Sequence, residues 1–182
     1  IAGALDKPHY HEPAISIAKE IDQGNTSYRI LYGVPPWPSD GLLLPDGVLP
    51  CNLHAYPSRF TISSFSCFLK IWKAWKNHRP SSIPDKWLRH EKGEIFWACT
   101  KVEAYRVMLT KNNCSALVVM NEQHLPWSLV VSAAKSLDIP VHHILHGSVA
   151  APSYTPFQAD QLWADFEFAR KAMIDDFGVD TE

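Results

Sequence analysis

The chain has 182 residues, 46% of them hydrophobic, with a formal charge of −2. That length and apolar content suit one domain with a sizeable core. The near-neutral balance gives no global electrostatic drive toward nucleic acid. No apolar run reaches the roughly 18 residues that a membrane-spanning helix needs.

Ile1 to Leu5 reads as a first strand, followed by a loop from Asp6 to Pro13 that contains His9, His11 and Glu12. Ala14, Ile17, Ala18 and Ile21 mark a helical stripe, which Gly24-Asn25 stops. Tyr28 to Tyr32 is the second strand. This β-loop-α-β opening favours a doubly wound sheet. From Gly33 to Pro57 the prolines at 35, 36, 38, 45, 50 and 57 and the glycines at 33, 41 and 47 break the pattern. Long elements are not expected there, and a loop of that length inside a domain is often functional.

Ser63-Ser64 is the expected cap of a helix reaching about His78, closed by Pro80. Its apolar stripe is Phe65, Phe68, Leu69, Trp72 and Trp75, with Lys70, Lys73 and Asn77 on another face. Two readings fit. One is peripheral membrane contact through residues 64–78, aromatic rings in the interface and lysines toward anionic lipid. The other, preferred, is a core helix with a solvated basic face. Ile95, Ala98, Val102, Tyr105 and Leu109 then define a helix ending near Asn112-Asn113.

The most regular stretch follows. Ala116 to Met120 and Val141 to Leu145 are continuous apolar runs of strand length, as in parallel sheets covered on both faces. Between them Trp127, Val130, Val131, Ala134 and Leu137 recur at helical spacing, giving a β-α-β unit. A last helix carries Phe166, Ala169, Met173 and Phe177 and stops at Gly178. The fold expected is α/β, a largely parallel sheet flanked by helices, in one domain spanning 1–182.

In such sheets ligands collect beyond the carboxyl ends of the strands. Those ends carry Asn121-Glu122-Gln123-His124 and His146-Gly147-Ser148. A His with an ordinary pKa near 6.5 removes a proton from a hydroxyl at neutral pH, and Gly147 permits a sharp turn or a close ligand approach. His142 and His143, alternating inside the strand, read as structural. Glu122 is a candidate partner that orients a His or raises its basicity; the competing reading makes Asn121 to His124 a helix cap with one solvated acid. His9, His11 and Glu12 share the rim if the sheet is parallel. No pair has the spacing of a helical metal site, so no metal is expected. Phosphate-loop glycine motifs are absent. Cys51, Cys67, Cys99 and Cys114 form no C-x-x-C pair and follow no secretory signal, so reduced thiols in the cytoplasm are expected.

The run His146-Gly147-Ser148, then Tyr154-Thr-Pro156, then Ala159-Asp160-Gln-Leu-Trp163 resembles a pattern in bacterial glycosyltransferases of the GT-B fold. These enzymes build capsules, surface polysaccharides and teichoic acids, and their relatives include CDP-glycerol glycerophosphotransferases and UDP-GlcNAc 2-epimerases. The likeness covers roughly Ala116 to Asp180, and only loosely the loop from His9 to Pro13. It implies a Rossmann-like, acceptor-binding first half of a two-domain protein, with His146 as base on an acceptor hydroxyl and Glu122 beside it in catalysis. His9, His11, Glu12, Asn121, His124, Gly147, Ser148 and Tyr154 would then contact substrate.

By the same likeness the donor is a nucleotide sugar, held by a missing C-terminal domain, and this half needs no cofactor of its own. Alone it is expected to be inactive unless a partner chain supplies the donor half. The acceptor is a glycan or a lipid-linked species, with no nucleic acid as partner, and the site of action is the cytoplasm or the inner face of the membrane. The proline-rich insert and the Trp/Lys helix fall outside the family pattern. Two alternatives stand beside this reading: a sugar-nucleotide 2-epimerase fragment, and a non-catalytic flavodoxin-like binding domain.

Overall fold

Short runs of branched apolar residues bounded by turns form strands here, and longer runs at 3.6-residue spacing form the helices that cover them. The structure, a computed structural model, describes residues 2–3, 16, 30–34, 48–78, 88–120, 122, 125–145, 157–164 and 167–178. Among these, the strands are β1 (Ala2–Gly3), β2 (Ile30–Val34), β3 (Val48–Asn52), β4 (Leu117–Val119), β5 (Val141–Leu145) and β6 (Gln161–Ala164). The helices are α1 (Ile62–His78), α2 (Leu88–Lys111), α3 (Trp127–Lys135) and α4 (Glu167–Phe177). Of the expected first helix only Ser16 lies within the described residues, and it is helical.

The strands form one sheet in the order β3-β2-β1-β4-β5-β6, and every neighbouring pair is parallel. The chain winds outward from β1 to β3, then restarts beside β1 and winds the other way from β4 to β6. This is the strand order of doubly wound nucleotide-binding sheets, consistent with a Rossmann-like arrangement. Because all strands point the same way, their carboxyl ends share one rim. The order reverses between β1 and β4, where such sheets form their ligand crevice.

One strand was not expected. Val48–Asn52 lies in the proline-rich stretch and carries Pro50 opposite Tyr32. Proline removes a ladder donor, which a central strand cannot spare but an edge strand can. β3 is at the edge of the described sheet and pairs only with β2.

The β4-α3-β5 unit is the centre of the core. Leu117, Val119 and Val141 face Tyr105, Met108 and Leu109 of α2 and Trp127, Val130, Val131, Ala133 and Ala134 of α3. Burying each large aliphatic side chain contributes roughly 1.5–3 kcal/mol. By strand alternation Val118, His142 and Ile144 lie on the opposite face, and they too are buried. Three helices end on a left-handed residue. Asn113 (φ 50°) and Asp138 (φ 56°) stand just past α2 and α3, and Gly178 (φ 63°) just past α4. After α2, Cys114 N donates to Leu109 O at 3.0 Å and Asn113 N to Thr110 O at 3.0 Å, a Schellman closure.

The helix α1 departs from expectation in two respects. It starts at Ile62, ahead of the expected Ser63-Ser64 cap, and Thr61 caps it. Thr61 N donates to Ser64 Oγ at 2.8 Å while Ser64 N donates to Thr61 Oγ1 at 3.1 Å, a reciprocal capping box. It is also not a core helix. It packs on α2, and Ser64 and Phe68 are its buried residues. A Phe68–Phe96 edge contact at 5.4 Å centres that interface, and Arg106 Nη1 reaches Ser63 Oγ at 3.3 Å. Cys67 and Cys99 are neighbours across it. Burial, then the neighbouring Cys67, pushes the Cys99 thiol up to about 12.

Two outcomes follow from these helix contacts. Thr61→Ala is expected to lower unfolding free energy in urea by about 1 kcal/mol, since it deletes the capping oxygen. In the folded protein Cys99 should resist iodoacetamide at about pH 8.5 and react only after denaturation, as read by peptide mass spectrometry.

Candidate functional site

The rim of the sheet is built around one carboxylate. β4 ends at Val119, Met120 is buried at the bend, and Glu122 turns its side chain back under the rim, fully buried. Its Oε1 lies 3.1 Å from His143 Nδ1, and its Oε2 accepts from Gln158 N–H at 3.1 Å. The two side chains are 1% and 0% exposed. The contact holds the imidazole in one orientation, as a carboxyl group placed behind a histidine does. Isolated, either polar group would be costly to bury; the contact gives Nδ1 and Oε1 a partner each.

The register explains why the partner is His143. β4 and β5 are parallel neighbours, with Val119 opposite His143. Val119 and His143 therefore share the face covered by α2 and α3, and a chain leaving β4 brings residue 122 over that ring. His142 points to the other face, where Trp163 Nε1–H donates to its Nδ1 at 3.3 Å. Burial lowers the His142 pKa, against the opposing pull of a Gln161 hydrogen bond and the Asp160 charge.

A second carboxylate fastens the same return segment lower down. Asp160 Oδ2 accepts from Val141 N at 2.8 Å, and Asp160 N donates to Val141 O at 2.8 Å. Lys135, the last residue of α3, pairs with the other carboxylate oxygen. Burial opposes ionisation of Asp160, but the Lys135 ammonium and the Val141 N–H outweigh it and hold the group below its usual value. Both partners of that ion pair are substantially exposed, so it adds little stability. The segment 157–160 is thus tied at Gln158 to the end of β4 and at Asp160 to the start of β5, with Ala159 packed against the core between them.

Of the expected site residues, Glu122 lies within the described part of the chain. The reading that made it a solvated acid in a helix cap is corrected: it is buried and bonded on both oxygens. His9, His11, Glu12, Asn121, His124, His146, Gly147, Ser148 and Tyr154 fall outside the described residues. β5 ends at Leu145, the residue before His146. The β1 exit, which leads in sequence to the 9–12 loop, shares the rim with the exits of β4 and β5. Among the described residues, no three His, Cys, Asp or Glu side chains group as a metal set, and no helix is long and apolar enough to cross a membrane.

Sequence reasoning placed Glu122 near a histidine but missed which one. The sequence reads His143 as structural without its partner and gives Gln158 and Asp160 no role, because these contacts come from strand register and from a chain reversal, neither of which leaves a local motif. Compared with known protein families, curated proteins and solved structures, the chain matches none.

Glu122→Ala should destabilise the protein by roughly 3 kcal/mol, because it removes the partner of the buried His143 ring and of the part-buried Gln158 amide. Glu122→Gln, which keeps an acceptor, should lose less, and denaturant titration distinguishes them. The lowered His142 pKa means the unfolded chain binds its proton first as pH falls. Stability should therefore decline as pH drops below about 6.5, and His142→Asn should flatten that decline in urea titrations at several pH values.

Proposed function

We propose that this chain is the acceptor-binding half of a nucleotide-sugar-dependent glycosyltransferase that builds a surface polysaccharide. One observation carries the reading: the order of elements around His146-Gly147. A buried parallel strand ends at Leu145, the His-Gly and Tyr-x-Pro sequence follows, and Ala159-Asp160 leads into β6 and then α4. That succession in a doubly wound parallel sheet is what the GT-B resemblance requires of a first half.

In this reading His146 takes the proton from an acceptor hydroxyl. The acceptor oxygen forms the new bond to the anomeric carbon as the bond to the donor phosphate breaks, and the nucleoside diphosphate leaves with the electron pair. A donor-binding half holds the nucleotide sugar. Glu122 is a positioning residue: through His143 and the Gln158 amide it sets the path of the segment that returns from the His146 loop. The loop of His9, His11 and Glu12, with Asn121, His124, Gly147, Ser148 and Tyr154, provides acceptor contacts. The acceptor is a glycan or lipid-linked glycan at the cytoplasmic face of a membrane.

Transfer of labelled sugar from nucleotide donors to lipid or glycan acceptors tests this, with the donor-binding half present on the same or a second chain. His146→Ala should lower kcat by about 10²–10⁴-fold with little change in acceptor KM. Turnover that survives the substitution overturns the assignment of the base. An epimerised sugar nucleotide as sole product overturns the reaction class.

A further inference from the structure

The helix α1 shows solvent a face that a core helix would hide. Ile62 is 91% exposed, Phe60 just before it 68%, Leu69 48% and Phe65 43%. Ile62, Phe65, Leu69, Lys73 and Lys76 follow one another at steps of three or four residues, so they share a stripe about a quarter of the helix circumference wide. Its amino-terminal half is apolar and its carboxyl-terminal half is cationic. Lys70 flanks the stripe, and Lys70, Lys73 and Lys76 are all exposed. Phe60 and Phe65 belong to an aromatic cluster with Phe68 and Phe96, so the exposed rings are braced from beneath. Trp72 and Trp75 stack at 5.2 Å, half-buried at the edge.

Charge decides what such a face fits. Between Asp46 and Asp85 the sequence has no acidic residue, while Arg59, Lys70, Lys73, Lys76 and Arg79 all lie there. Four exposed apolar side chains are few beside the roughly 20–30 residues a side of a stable protein interface. A bilayer interface asks for less: a few inserted apolar groups, aromatic rings at headgroup depth and cations facing anionic headgroups.

We propose that α1 docks the protein on an anionic bilayer, inserting Phe60, Ile62, Phe65 and Leu69 and setting its lysines against the headgroups. The docking is peripheral, and it is independent of whether the protein transfers sugars.

Co-sedimentation with phosphatidylcholine vesicles, with and without about 30% phosphatidylglycerol, tests it. The anionic vesicles should bind the chain, the neutral ones far less, and added salt should weaken binding. The double variant Ile62→Ser/Leu69→Ser should lower the partition coefficient at least about tenfold, and Lys70→Glu/Lys73→Glu/Lys76→Glu should remove the preference for anionic lipid. These side chains are exposed, so thermal melts should match the parent. Failure to bind anionic vesicles overturns the proposal, as does wild-type binding by both variants. A dimer in light scattering that Ile62→Ser/Leu69→Ser converts to monomer also overturns it, because the face would then belong to a second copy.

Discussion

A carboxylate taken out of water must find donors for its oxygens, and Glu122 finds them on two different parts of the chain. One is the ring of His143 on the next strand; the other is the backbone amide of Gln158, in the segment that returns to form β6. This contact joins the end of β4, the middle of β5 and the approach to β6 at one buried point. Asp160 does the complementary work at the start of β5. With both in place, the segment 157–160 is held against the sheet at two points. A buried pair of this kind is weak evidence for net stability. Its value lies in specifying one path for the return segment.

The all-parallel order gives the rim its meaning. Had β1 or β5 run against β4, its exit would lie at the opposite end of the sheet from Glu122. Instead β1 and β4 meet where the winding direction changes, and their exits lead in sequence to the clusters 9–12 and 121–124. The polar residues that stood out in the sequence thus follow strands whose carboxyl ends lie where doubly wound sheets gather ligands.

The helix α1 shows a different logic from α3. Both carry apolar residues at helical spacing. α3 buries its stripe between sheet and α2, with Val130, Val131, Ala133 and Ala134 inaccessible. α1 rests on another helix, and among its described side chains only Ser64 and Phe68 are buried. Periodicity reports that a helix is amphipathic; it does not report how wide a groove its neighbour offers.

The sequence alone determined the elements whose signals are local: the apolar runs of β4 and β5, the spacing of α2 and α3, and the stops at Asn113 and Gly178, where a left-handed residue closes a helix. Strand alternation also put His142 and His143 on opposite faces and made both structural. Tertiary structure alone decided the rest. Pro50 sits in a strand because that strand is at an edge, a position set by pairing and not by composition. Glu122 is buried because register places it over His143, which no neighbour in sequence specifies. The apolar side of α1 meets solvent because burial belongs to a pair of surfaces, and one sequence segment describes only its own.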